Sequence, residues 1–141
     1  MRNTILFSIF ILFLVSCKKD KYTTAPQLKY KSTNKKELRQ GETLTMKLSF
    51  TDAEGDLLAD SSLLVLKVVP RCTASSFSQY YRIPDFPTGK NQAGEIVITY
   101  TYNDINPKCN RNDTAVFKFV MRDKQKNKSD TAVSDQIIIY Q

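Results

Sequence analysis

The chain has no histidine and no tryptophan, only four glycines in 141 residues, and three cysteines. The missing histidine removes the commonest general base near neutral pH and the commonest metal ligand. Four scattered glycines cannot form a loop that cradles phosphates, and no serine sits in a nucleophile elbow. A thiol nucleophile would lack its usual base. Acidic residues are also few, 14 against 21 basic ones, for a net charge of +7. Much of that excess is local: Lys18, Lys19, Lys21, Lys29, Lys31, Lys35, Lys36 and Arg39 face only Asp20 and Glu37 before Gln40. No recognition motif or interleaved basic and aromatic pattern accompanies the charge, so nucleic acid is not an expected partner.

What is present begins at the amino terminus. Arg2 gives an early positive charge, Ile5 to Val15 is apolar except for Ser8, and Leu14-Val15-Ser16-Cys17 precedes Lys18-Lys19-Asp20. That order is the one found in a secretory signal. The apolar run reaches roughly half of a bilayer core, too short for a spanning helix. Leu-Val-Ser-Cys resembles the lipobox of bacterial lipoproteins, which implies acylation of Cys17 and loss of residues 1–16. An ordinary signal peptide is the alternative. Two or three acyl chains exceed the one-chain regime of reversible membrane binding, and the basic stretch after them suits either anionic head groups or a solvated tether. The expected organisation is a signal at 1–16, a lipidated cysteine and basic tether at 17–40, and one domain at 41–141. Lys18-Lys19-Asp20 only loosely resembles a surface-export tag, so outer-membrane anchorage facing either the periplasm or the surface is the expectation.

With Cys17 assigned to lipid, Cys72 and Cys109 form an even pair in a compartment that permits oxidation, and a disulfide is the economical reading. Two free buried thiols are the alternative. Between them and around them the chain reads as strand after strand. Leu44, Met46, Leu48 and Phe50 alternate with Thr45, Lys47 and Ser49; Leu63 to Val69 is a nearly unbroken apolar run closed by Pro70. Gln79 to Ile83, Glu95 to Tyr102, Ala115 to Arg122 and Gln136 to Tyr140 follow, with a first strand around Gln27 to Lys31. About seven strands with turn signals between them and no amphipathic helix predict an all-β, immunoglobulin-like antiparallel sandwich.

Phe50-Thr51-Asp52-Ala53-Glu54-Gly55-Asp56-Leu57, Tyr80-Tyr81-Arg82-Ile83-Pro84, Pro87-Thr88-Gly89-Lys90, Gly94-Glu95-Ile96 and the Arg122–Asp130 segment resemble a group of small uncharacterised lipoproteins of the Bacteroidota. The resemblance implies a cadherin-like or polycystic-kidney-disease-type (PKD-type) immunoglobulin sandwich, and it carries no chemistry. In that group the turn after the second strand is commonly Asp-Gly-Asp-Gly-Asp; here Ala53 and Glu54 depart from it.

That turn is the one constellation able to carry chemistry. Asp52, Glu54 and Asp56 alternate around Gly55, and three converging carboxylates favour a hard cation such as calcium. The spacing is not that of an EF-hand; Asp60, Asp104 or Asp123 would have to complete the shell. A plain acidic hairpin explains the same residues. Asp52 and Asp56 as an acid–base pair is a third reading that nothing in the spacing favours. Asp113-Thr114-Ala115 and Asp130-Thr131-Ala132 resemble the O-glycosylation acceptor of exported Bacteroidota proteins, with Thr114 and Thr131 carrying the sugar; turn chemistry at strand starts fits equally. Tyr81, Phe86 and Tyr102 are candidate rings for a protein or glycan surface, unless they belong to core or sheet faces. The expected function is therefore a non-catalytic binding or adhesion module anchored by lipid, with a subunit of an outer-membrane complex as the alternative, and no enzyme.

Overall fold

Period-two patterning along Thr43–Thr51, Glu95–Tyr102 and Ala115–Arg122, with the nearly unbroken apolar run Leu63–Val69, commits the chain to sheets. The computed structural model describes residues 21–57, 62–84, 87 and 89–141. Its strands are β1 (Gln27–Thr33), β2 (Glu37–Leu38), β3 (Thr43–Asp52), β4 (Ser62–Val68), β5 (Phe77–Arg82), β6 (Gln92–Thr101), β7 (Asp113–Arg122), β8 (Ala132–Val133) and β9 (Ile137–Ile139). A 3-10 turn at Thr73–Ser75 and a one-turn helix α1 (Tyr102–Ile105) are the helical elements.

The strands form two sheets, β1-β3-β6 and β2-β9-β7-β4-β5, with β8 on β7. All pairings are antiparallel except β2 on β9. The amino-terminal segment thus serves both sheets, β1 in the first and β2 in the second. This is an immunoglobulin-type β-sandwich. β2 and β8 add two short strands to the expected seven; at two residues each they carry no readable period. The boundary expected at residue 41 is wrong. β1 lies within 17–40 yet pairs with β3 from Gln27 opposite Thr51 to Thr33 opposite Met46. Thr51 also donates to the Lys21 carbonyl at 2.8 Å. Lys29 and Lys31, read as tether, are exposed positions of a strand whose Leu28 is core.

Leu44, Met46, Leu48 and Phe50 of β3 meet Leu63 and Val65 of β4, Ala115, Phe117, Phe119 and Met121 of β7, and Ile137 and Ile139 of β9 in one buried cluster. Each of these side chains other than Ala115 contributes about 1.5–3 kcal/mol by burial. Tyr100 stacks on Phe117 at 5.8 Å between centroids. Gly94 lets β6 pass over Phe50, because a Cβ there would sit 2.8 Å from the ring.

One end of the sandwich is closed by charge and sulfur. Lys67, on the core face of β4, is 1% exposed and reaches Asp113 at the start of β7, Nζ to Oδ2 3.1 Å, while also donating to the Ile105 carbonyl at 2.8 Å. Burial pushes the Lys67 ammonium below the usual lysine range and the Asp113 carboxylate opposes it. Cys72 and Cys109 are bonded with Cα atoms 6.0 Å apart, linking the β4–β5 and α1–β7 connections rather than two core strands.

Removing one partner of a buried pair leaves the other charge uncompensated. Asp113→Ala should lower unfolding free energy by about 3–5 kcal/mol, whereas the apolar pair Lys67→Met/Asp113→Val should regain most of it. Urea midpoints of the three proteins decide this; a single variant within about 1 kcal/mol of the parent would refute a buried, uncompensated Lys67.

Candidate functional site

The opposite end of the sandwich carries the acidic turn. β3 ends on Asp52, whose side chain points to the core side as the last position of the buried alternation and is 0% exposed. Its Oδ2 accepts from the Gly55 N–H at 2.7 Å and the Asp56 N–H at 3.3 Å, an Asx-type turn that carries the chain back on itself. Gly55 makes this possible with φ +69°. It also lies against another loop, since a Cβ at Gly55 would overlap the carbonyl oxygen of Gly89.

β7 delivers a third acid to the same point. Asp123 follows its last residue, is 1% exposed, and accepts from the Asn127 N–H at 2.7 Å through Oδ1 and from Asn127 Nδ2 at 2.8 Å through Oδ2. One oxygen from each of Asp52, Asp56 and Asp123 lies within 4.8 Å of the others. Oxygens bound to one calcium at about 2.3–2.6 Å can be at most roughly 5 Å apart, so a single ion could touch all three. Among the described residues no other group of three acids or cysteines converges in this way.

The ligand set therefore differs from the expected Asp52, Glu54 and Asp56. Glu54 sits exposed at the tip of the turn and accepts from Gln125 Nε2 at 2.6 Å. Residues 52 and 56 flank the reversal and face inward, whereas residue 54 rides on its outside. Asp104 is at the far end of β6, where it caps α1 by accepting from the Thr101 N–H and hydroxyl, both at 2.7 Å. Those bonds hold its carboxyl below the usual range. Asp60 lies outside the described residues.

The buried site is electrostatically unfinished. Asp52 Oδ1 is buried and accepts no hydrogen bond among the described residues. Burial raises the Asp52 carboxyl above its usual range, with the Asp56 and Asp123 charges adding to it and the Gly55 and Asp56 N–H groups opposing. A divalent cation would reverse the balance by supplying the missing partner.

The other expected positions have structural roles or lie elsewhere. Tyr81 donates to Gln79 Oε1 at 3.1 Å and its hydroxyl meets that of Tyr100 at 3.0 Å. Tyr102 donates to the Tyr140 carbonyl at 2.9 Å, pinning the last strand. Both rings are half-buried, and among the described residues the most exposed ring is Tyr80, at 65%. Sequence spacing could not separate Tyr80 from Tyr81, since period two sends neighbours to opposite faces and the register decides which. Phe86 and Cys17 lie outside the described residues. Thr114 and Thr131 are both exposed, but Asp113 of the first Asp-Thr-Ala set is committed to Lys67.

No family model matches the chain, and no curated protein matches it. Among solved structures it is similar to the PKD domain of an M14-like peptidase from a Thermoplasmatales archaeon, at 13% identity and a TM-score of 0.46, over 83% of this chain and 94% of that one. It is also similar to the sporulation control protein Spo0M of Bacillus subtilis, at 12% identity and a TM-score of 0.47, over 83% of this chain and 50% of that one. A β-glucosidase from Listeria innocua gives 12% and 0.43 over 82% of this chain and 16% of that one.

Gly55→Ala is expected to destabilise the turn by about 2 kcal/mol or more, since it combines a left-handed φ with a backbone overlap. Glu54→Ala should stay within about 0.5 kcal/mol. Thermal unfolding of both separates a turn built on Gly55 from one that merely tolerates it; equal midpoints would refute the close approach.

Proposed function

We propose that this protein is a non-catalytic binding or adhesion module, held at the outer membrane by lipid on Cys17 and made rigid by calcium at Asp52, Asp56 and Asp123. The observation that carries the metal reading is the fully buried Asp52 oxygen without a partner beside two further carboxylates. An uncompensated carboxylate in a dry site costs several kcal/mol, and a cation of fitting size removes that cost. The three converging carboxylates suit an ion, and the remaining polar groups described above serve as caps, ties and core pairs. This favours a module that presents a surface over one that transforms a ligand.

Anchorage rests on the Leu14–Cys17 motif and the basic residues after it. The resemblance to Bacteroidota lipoproteins supports the same placement.

Calcium bound only by the folded state should stabilise it by about 2.7 kcal/mol at a hundred times its dissociation constant, a rise in melting temperature on the order of 10 °C. Titration of calcium against a chelator should show a saturable rise that Asp52→Asn abolishes and Glu54→Gln retains. A flat titration leaves a metal-free sandwich.

The anchor has its own measurement. Cells supplied with labelled palmitate should incorporate it into the parent protein and not into Cys17→Ser, which should move from the membrane to the soluble fraction. Unlabelled parent protein would show the segment to be an ordinary signal.

A further inference from the structure

The outer face of the larger sheet is set apart by its charge. β5, β4 and β7 together hold one acid, Asp113, which is buried and committed to Lys67. Their outward positions include Arg82, Lys118 and Arg122, and the residue bridged to Arg122 across an antiparallel pair is Lys128. Like charges directly opposite one another on a sheet repel. Among the described residues neither Arg122 nor Lys128 has an ion-pair partner, and the Arg122 Nε–H is buried without an acceptor. Two cations are thus held side by side, one of them with an unused donor, and an anion between them would answer both.

A groove of about 260 Å³ opens at this point. Leu64 and Val120, opposite each other on β4 and β7, form its floor. Tyr80 of β5, opposite Leu64 and 65% exposed, forms one wall; Arg122, Lys128 and Thr131 form the other. Arginine and lysine donate only, so the polar wall calls for a ligand rich in acceptors. The strands beneath spend their backbone groups on one another, β4 on β5 and β7, and β7 on β4 and β8. An extended peptide therefore finds no free ladder to join, and recognition falls to side chains. The volume lies below the roughly 300–1,000 Å³ of sites for drug-sized ligands, which suits a single ring.

We propose that this groove binds one uronic-acid unit of an acidic polysaccharide, its carboxylate between Arg122 and Lys128 and one face of its ring on Tyr80. A pyranose carries acceptor oxygens around its rim and C–H groups on its faces, matching donors on one wall and an aromatic ring on the other. A bare phosphate or sulfate would leave the Tyr80, Leu64 and Val120 side uncovered. The site gives the non-catalytic binding module proposed above, on which it rests, a class of ligand, and it involves neither Cys17 nor the acidic turn.

Calorimetry of the full-length protein in detergent, at constant calcium, compares hyaluronan tetrasaccharide, in which glucuronate alternates with N-acetylglucosamine, with chitotetraose, which lacks the carboxylate. The acidic sugar should bind and the neutral one should not. Arg122→Gln should weaken binding by about tenfold or more, through loss of a charge-assisted bond. Lys128→Gln, at an exposed position, should act in the same direction and serves if Arg122→Gln fails to fold. Tyr80→Ala should weaken binding by about three- to tenfold, and Lys47→Gln, an exposed cation of the other sheet, should leave it unchanged. No binding, equal binding of chitotetraose, or full affinity in Tyr80→Ala would overturn the site. Equal affinity for poly-glutamate or for phosphatidylglycerol vesicles would overturn it in favour of a general anion surface. Binding with cleavage of the tetrasaccharide would uphold the site and refute the non-catalytic reading.

Discussion

A sandwich is easy to fill and hard to close: strand side chains cover its faces, but the two open ends expose the core to whatever the turns provide. In this protein each end holds a buried carboxylate. At one end Asp113 meets the Lys67 ammonium, and the charge is answered inside the protein. At the other, Asp52 has neighbours of its own sign; one oxygen of each of Asp52 and Asp113 lacks a hydrogen bond among the described residues, so what differs between the ends is the cation. The two ends pose the same problem in low dielectric, where an unpaired charge is costly and a paired one about neutral. The asymmetry between them is the strongest reason to place a cation at the acidic end.

The same contrast governs the surface. Lysines, a bulge, short strands and a proline protect three edges, while β6 lacks every such device. Among the described residues β6 is a regular ten-residue strand that lies beside an apolar groove. The acidic end and the β6 edge are independent features of the fold.

Much of the fold was readable because period two survives in β3 and β7. Leu44 to Phe50 and Ala115 to Met121 are buried at every second position as their alternation predicts. β2 and β8 were not readable, since two residues carry no period; the strand around Gln27 to Lys31 was readable, but its lysines led the domain boundary to be set past it, at residue 41. Leu63 to Val69 reads as plain core, yet Lys67 within it is a buried ion, which only Asp113 from a distant strand makes tolerable. At the acidic turn the residue types were visible and the set was not. Asp56 returns to Asp52 through the left-handed Gly55, Glu54 turns out, and Asp123 arrives from another strand.

Local chemistry in the sequence alone was enough to determine an all-β chain, the faces of its long strands, a turn at Asp52–Asp56 and the absence of histidine chemistry. These depend on neighbours in the chain, and periodicity records neighbours. The tertiary structure decided which acids converge, which tyrosine is exposed, where the domain begins and which edge stays open. Those depend on strand order and register across tens of residues, and a one-residue shift in register moves every side chain to the other face.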